Sequence, residues 1–340
     1  MTEQKQRPIK KILLLILIPV LLILIGVAAY ASYLTNTAKE VVENSQHKLS
    51  SRSLEEKSKL RVEKVDPRVD NISVLFIGVD ASSDEMVSGS TRSDALILAT
   101  FNEKEKSVKM VSIPRDSRVE LVGRDRMDKI THAHAYGDIE MTVDTVEKLF
   151  NVPVDYYARL NFDAFIQIID ALDGIEIDVP FAIVEQDSHR KKNAIKIDEG
   201  LQTLTGEQAL AYARTRKYDG DLERGHRQQE ILKAVINKLL SFKSVSKYSD
   251  VMKSIGENLT TNMSFDEMLA FHDYAYEGSN IDIEMLTLNG KAARIDELYY
   301  YILDEENLEE AKTKLRQHLT LEEPIENNAT NFKESSSDIE

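Results

Sequence analysis

RSDALILATFNEKEKSVKMVSIPRD, residues 92–116, holds two apolar runs joined by a polar hairpin. ALILATF (95–101) and VKMVSI (108–113) are apolar at both odd and even positions. That is the pattern of strands covered on both faces. SVLFIGV (73–79), just upstream, is a third run of this kind. If the three run up, down and up, one edge of the sheet receives Asp80, then Arg92 and Asp94, then Arg115 and Asp116. Helical periodicity follows over 138–150 and 161–174, the second segment stopped by Gly174. Residues 175–179 alternate as a strand does, and Thr205 and Gln208 have capping-box spacing. A further helix runs on through QQEILKAVINKLL (228–240), with Asp221 placed to cap it. The order predicts an α/β fold: one α/β/α layered domain with a central mixed sheet, over about residues 68–320.

The ends of the chain read differently. Residues 1–11 carry Lys5, Arg7, Lys10 and Lys11 against Glu3, and residues 12–34 carry no charge at all. Twenty-three residues of helix span roughly 35 Å, enough for a bilayer, so one transmembrane helix is expected before the domain. The basic flank places residues 1–11 in the cytoplasm and the rest outside the cell membrane. AYA (29–31) resembles a signal-peptidase site, but the apolar run exceeds the roughly 7–15 residues of a cleaved signal. Residues 35–67 are polar and helix-prone without an apolar stripe, and read as an extracellular stalk. Residues 321–340 read as a disordered tail.

Composition excludes several chemistries. The 340 residues contain no cysteine, so disulfides, iron–sulfur clusters, thiolate zinc and cysteine nucleophiles are ruled out. A formal net charge of -15 argues against a nucleic-acid partner. No Walker loop, G-x-G-x-x-G or G-x-S-x-G is present.

Against that acidic background, Arg214, Arg216, Arg224 and Arg227 crowd into ARTRKYDGDLERGHRQQE (213–230). The helix's apolar positions Ile231, Leu232, Val235 and Leu239, projected backward, reach Arg224 and Gln228. A buried arginine there either pairs with a core carboxylate such as Asp221 or Asp170, or faces a pocket. Four arginines at a helix N-terminus suit a phosphate or pyrophosphate, whose oxygens match the guanidinium fork. Asp80 and Asp94, at neighbouring strand ends, suit Mg²⁺ shared with such a phosphate; strand-end capping is the competing explanation. His132 and His134 have spacing compatible with a metal but lack a third ligand, which favours packing or hydrogen bonding.

VLFIGVD, TRSDALIL, VSIPRDS, DKITHAHAYG, TVDTVEKLFNVPVDYYARLNFDAF, LTGEQALAYARTRK and GDLERGHRQQ follow one another across residues 74–229. In these motifs and in its N-terminal anchor the chain resembles the LytR-CpsA-Psr family of cell-envelope proteins. It looks most like Gram-positive members that handle wall teichoic acid. The resemblance implies a metal-dependent phosphotransferase. Such an enzyme moves a glycopolymer from a polyprenyl-pyrophosphate carrier to peptidoglycan, typically C6 of N-acetylmuramic acid, and releases polyprenyl phosphate. It also implies an apolar pocket for the polyprenyl chain. Mapped by motif, Asp80 and Asp94 become metal ligands for Mg²⁺, with Mn²⁺ an alternative. Arg92, Arg115, Arg214, Arg216, Arg224 and Gln228 become pyrophosphate-binding residues. Asp94, Arg115, Arg224 and Asp221 become the catalytic group. A lipid pyrophosphatase using water as acceptor and a non-catalytic envelope regulator are the competing functions.

Overall fold

The computed structural model describes residues 32–33, 35–37, 39–52, 55–80, 91–216, 220–241, 251, 258–276 and 281–322. The expected membrane span lies almost wholly outside these residues, and so does the tail beyond Glu322. Among the described residues no helix is long and apolar enough to cross a membrane.

The strands are β1 (Ile72–Val79), β2 (Ser93–Asn102), β3 (Ser107–Ser112), β4 (Arg118–Leu121), β5 (Arg126–Lys129), β6 (Tyr156–Asn161), β7 (Ile175–Val179), β8 (Ile183–Glu185), β9 (Ile195–Ile197), β10 (Gly200–Leu204), β11 (Leu259–Thr261), β12 (Asp282–Leu286), β13 (Gly290–Ile295) and β14 (Leu298–Leu303). The helices are α1 (Thr131–Phe150), α2 (Phe162–Ala171), α3 (Gly206–Arg214), α4 (Gly220–Leu240), α5 (Phe265–Tyr276) and α6 (Glu305–His318). The central sheet has six strands in the order β11-β6-β1-β2-β3-β12. β1, β2 and β3 pair antiparallel, as the three apolar runs predict. β6 joins β1 and β12 joins β3 in parallel, which makes the sheet mixed. β1, β3, β6 and β12 therefore all end at one edge, where β2 begins.

Alternate residues of each strand face opposite layers. Leu75, Ile77, Leu96 and Leu98 pack in one core with Val143, Val146 and Phe150 of α1 and Leu315 of α6. Val74, Ile97, Ala99 and Met110 pack on the other side, against Leu232 and Ile236 of α4. A third cluster joins α2, α3 and the rest of α4 to the two-stranded sheet of β7 and β10. The expected α/β/α layering follows. The Gly174 stop and the Thr205–Gln208 capping box read from sequence are also present. Asn161 caps α2 by accepting from Ala164 N–H. Gly174 takes φ +81, where its amide donates to Ile169 O at 2.9 Å. Thr205 and Gln208 form both bonds of a capping box.

Two elements differ from expectation. α1 begins at Thr131, and its helical geometry breaks at Gly137 (φ -146, ψ 24) and Asp138 (φ 50, ψ -145). THAHAY carries no apolar stripe, so periodicity in the sequence starts only after the break. Residues 35–67, read as a stalk, lie in part against the domain. Val42 and Leu49 are buried, and Leu49 belongs to the main core. Arg52 is buried too, donating to Val154 O at 2.6 Å and pairing with Glu147 at 2.9 Å. Single apolar residues seven apart leave no stripe to read, yet Leu49 joins the main core and Val42 packs with Phe265 of α5.

Candidate active site

The upper sheet edge is where parallel strands end and loops begin, the usual position for a ligand in an open α/β sheet. Asp94, at the start of β2, accepts a hydrogen bond from Arg115 Nη1 at 2.5 Å. Arg115 follows Pro114, just past β3, and its Nε lies 3.5 Å from Asp116. Lys129, at the end of β5, reaches Asp116 at 2.8 Å. Charges thus alternate along the edge. Burial would raise the Asp116 pKa, but Lys129 and Arg115 outweigh it and hold the carboxyl below the usual aspartate range.

α4 brings the second half of the site. Its first turns sit close over the end of β3: a Cβ on Gly225 would lie 2.9 Å from Ser112 Oγ. Buried Gln229 fixes that approach by donating to Met110 O at 3.0 Å and Leu286 O at 3.2 Å. Arg224, 6% exposed, and Gln228 then line a shallow pocket together with Asp94, Pro114, His226 and Thr287. Arg227 has a different task. It is 3% exposed, and donates to Tyr212 O at 3.1 Å and Thr215 O at 2.6 Å, holding the end of α3 against α4. That end carries Arg214, whose guanidinium stacks 4.6 Å from the Phe162 ring centroid. Thr215 is extended (φ -60, ψ 138), so Arg216 leaves the helix and is exposed.

The structure therefore joins Asp94, Arg115, Arg224 and Gln228 around one edge, with Arg214 and Arg216 at the neighbouring helix end. Arg92 is exposed two residues before Asp94. Asp80 follows β1, whose Val79 pairs with Ser93, and its carboxylate has Arg190 at 3.8 Å. The side chain of Asp221 lies outside the described residues. Asp170, weighed as a partner for Arg224, accepts from Gly206 N–H at 2.7 Å. Among the described residues no cluster of three or more His, Asp or Glu is placed to hold a metal. His132 pairs with Asp128 at 2.9 Å and His134 meets Thr91 O at 2.6 Å, as the hydrogen-bonding reading expects. Sequence reasoning missed Lys129, Gln229, His226 and Thr287. Gln229 and His226 fall beside the projected stripe, and Thr287 sits in a stretch without any motif.

The apolar projection along α4 also splits in two. Ile231, Val235 and Leu239 pack toward the cluster of α2 and α3, whereas Leu232 and Ile236 face the central sheet. Arg224, Gln228, Leu232 and Ile236 are spaced four apart and so form one ladder. On the same sheet face, Phe76, Gly78, Ala95, Ala158 and Leu160 are only half-buried, although their strands are central. The ladder passes from polar at the pocket to apolar over the sheet, where Leu232 and Ile236 pack against the cluster of Val74, Ile97, Ala99 and Met110.

The model of the LytR_cpsA_psr family matches residues 32–317. TagT of Bacillus subtilis (strain 168), named a polyisoprenyl-teichoic acid–peptidoglycan teichoic acid transferase, is 39% identical over 324 residues, 93% of this chain and 97% of TagT. A solved structure of TagT bound to LIIa-WTA superposes with a TM-score of 0.70 at 37% identity, covering 81% of this chain and 100% of that one. A second, YwtF (TagT) with bound octaprenyl pyrophosphate lipid, gives a TM-score of 0.65 at 35% identity over the same shares.

Proposed function

This chain belongs to the LytR_cpsA_psr family, and from that premise we propose that it is a glycopolymer phosphotransferase of the cell envelope. It transfers a teichoic-acid-type glycopolymer from a polyprenyl-pyrophosphate carrier to peptidoglycan, the activity that its relatives' names carry. The observation that carries this is the ladder Arg224–Gln228–Leu232–Ile236. One helix face offers a guanidinium and an amide to the pyrophosphate and then apolar side chains to a lipid tail. The half-buried Phe76, Ala95, Ala158 and Leu160 leave room for that tail.

In this reading Arg224, Gln228, Arg92, Arg115, Arg214 and Arg216 receive the pyrophosphate. The acceptor hydroxyl, proposed as C6 of N-acetylmuramic acid, attacks the phosphorus attached to the glycopolymer. A new P–O bond forms to the acceptor. The bond from that phosphorus to the bridging oxygen breaks, and its electron pair leaves with polyprenyl phosphate. The hydroxyl proton passes to Asp94. Arg115 donates to the same carboxylate, and positioning and charge neutralisation carry most of the rate.

Asp80 and Asp94 leave adjacent paired strands at one edge, and two carboxylates plus phosphate oxygens match the needs of Mg²⁺ or Mn²⁺. Such an ion would neutralise negative charge on the pyrophosphate. Residues 12–34 are proposed to anchor the protein in the cell membrane with the domain outside, close to its lipid-borne substrate.

Arg115→Ala is expected to lower transfer from a synthetic lipid-linked glycan to peptidoglycan oligomers by about 10³-fold, while folding is retained. Transfer at the wild-type rate by Arg115→Ala would sink the assignment. Product analysis with and without acceptor separates transfer from release by water.

A further inference from the structure

The first turn of α1 grips both loops that carry the site. Ile130 N–H donates to Ser117 O at 2.9 Å, and Thr131 N–H to Arg115 O at 3.1 Å. Thr131 Oγ1 donates to Ser93 O at 2.6 Å. His134 Nδ1 lies 2.6 Å from Thr91 O. Thr131 and His134 are three apart and share a helix face. The two carbonyls they hold belong to the residues on either side of Arg92, and the second leads directly into Asp94.

A carbonyl only accepts, so His134 Nδ1 carries the proton. His134 is 0% exposed. Burial pushes its pKa below the ordinary histidine value, while the Thr91 carbonyl and Asp138 push the other way. Behind the ring, Nε2 stands 3.1 Å from Asp138 Oδ1, which also receives Arg159 Nη1 at 2.8 Å. Arg159 is itself buried in β6 and donates to Thr260 Oγ1 at 3.0 Å on the edge strand β11. Asp138 holds φ 50 and ψ -145, a conformation that a non-glycine residue keeps only when its surroundings enforce it. The break it makes separates the gripping turn from the packed body of α1. A Cβ on Gly137 would lie 2.6 Å from Met141 Cβ, so the break also depends on that glycine.

We propose that Thr131 and His134 form a clamp that positions Arg92 for the lipid pyrophosphate. Both are positioning residues: they act on the backbone on either side of Arg92 and touch no substrate. The clamp rests on the reading of Arg92 as a pyrophosphate ligand. It also gives the THAHAYG motif a function that is neither metal binding nor simple packing.

The test is a binding cycle on the full chain with a short synthetic polyprenyl pyrophosphate as probe, each variant checked by its melting temperature. R92A and H134F are each expected to weaken binding about tenfold or more. The double variant should bind no worse than R92A alone, because His134 acts through Arg92. H134N, which restores a donor near Nδ1, should recover most of the affinity, whereas a merely space-filling role would not distinguish it from H134F. Losses that multiply in the double variant overturn the clamp, and so does an H134F that binds as wild type while R92A is weakened. An R92A that binds as tightly as wild type overturns the role of Arg92 itself and removes the basis for the clamp. If H134F does not fold, T131V enters the same cycle: it swaps a hydroxyl for a methyl and loses only the bond to Ser93 O. A loss shared with R92A supports the clamp, and an independent loss or no loss overturns it.

Discussion

The two faces of the central sheet are built from alternate residues of the same strands, yet they do opposite things. On one face Leu75 and Leu98 are 0% exposed, and Ile77 and Leu96 are 1% exposed, beneath α1 and α6. On the other, Phe76, Gly78, Ala95, Ala158 and Leu160 remain half-buried under α4. The first face is closed core throughout. The second is buried at Val74, Ile97, Ala99 and Met110 and opens only toward the upper edge, where α4 carries Arg224 and Gln228. A sheet can thus hold the fold with one set of side chains while the interleaved set leaves space for a ligand.

The sharpest test of this contrast lies on the closed face. Leu98→Ala removes a buried side chain opposite Leu75, and about 2–5 kcal/mol of stability should go with it. Denaturant unfolding measures the loss, and lipid-pyrophosphate affinity of the folded fraction should not change. A milder perturbation of the same face is acid. His318 of α6 is buried between Thr100 Oγ1 at 2.7 Å and Ser107 Oγ at 2.8 Å, and burial pushes its pKa down to about 4. The folded state therefore resists a proton that the unfolded chain accepts. Its stabilising contribution is complete above pH about 6.5 and is lost as pH falls toward 4, up to about 3 kcal/mol. Unfolding followed between pH 7 and pH 4 should show a steeper decline in wild type than in His318→Asn. Parallel curves would remove His318 from the account.

The smallest expected effect is on the open face. Ala158→Leu adds volume beside Phe76, its partner across the parallel pair. Binding of polyprenyl pyrophosphate should weaken about tenfold, or about 1.4 kcal/mol, and the melting temperature should stay close to wild type. A large drop in melting temperature with unchanged binding would mean that this face is packed core after all, and the contrast between the faces would collapse.

Much of the site was legible in the sequence because charged residues at the ends of apolar strands are visible as breaks in a run. Asp94 and Arg115 could be brought together by assuming one hairpin, and the structure places them 2.5 Å apart. Arg224 and Gln228 were legible from helical periodicity. Lys129 and Thr287 were not: Lys129 lies in the DKITHAHAYG motif, but only the turn back through β5 brings it to Asp116, and Thr287 arrives from the end of β12, far along the chain. Gln229 could not be read either: its two bonds go to backbone carbonyls of β3 and β12, and a backbone acceptor leaves no mark in sequence. The segment around Val42 and Leu49 was misread as a stalk for a related reason, since isolated apolar residues show a docking site only once its other wall is known.

By itself the sequence determined the strand order of the first hairpin, the stop of α2 and the cap of α3, the edge at which charge collects, and the family resemblance. These follow from local periodicity, capping chemistry and spaced motifs, which need no partner to be read. The tertiary structure decided which apolar strand positions are closed core and which face open space, because both parities of each strand are equally apolar. It also decided that Arg227 is a brace while Arg224 faces the pocket. The two arginines sit three apart on one helix, and only the position of α3 against α4 gives them different partners.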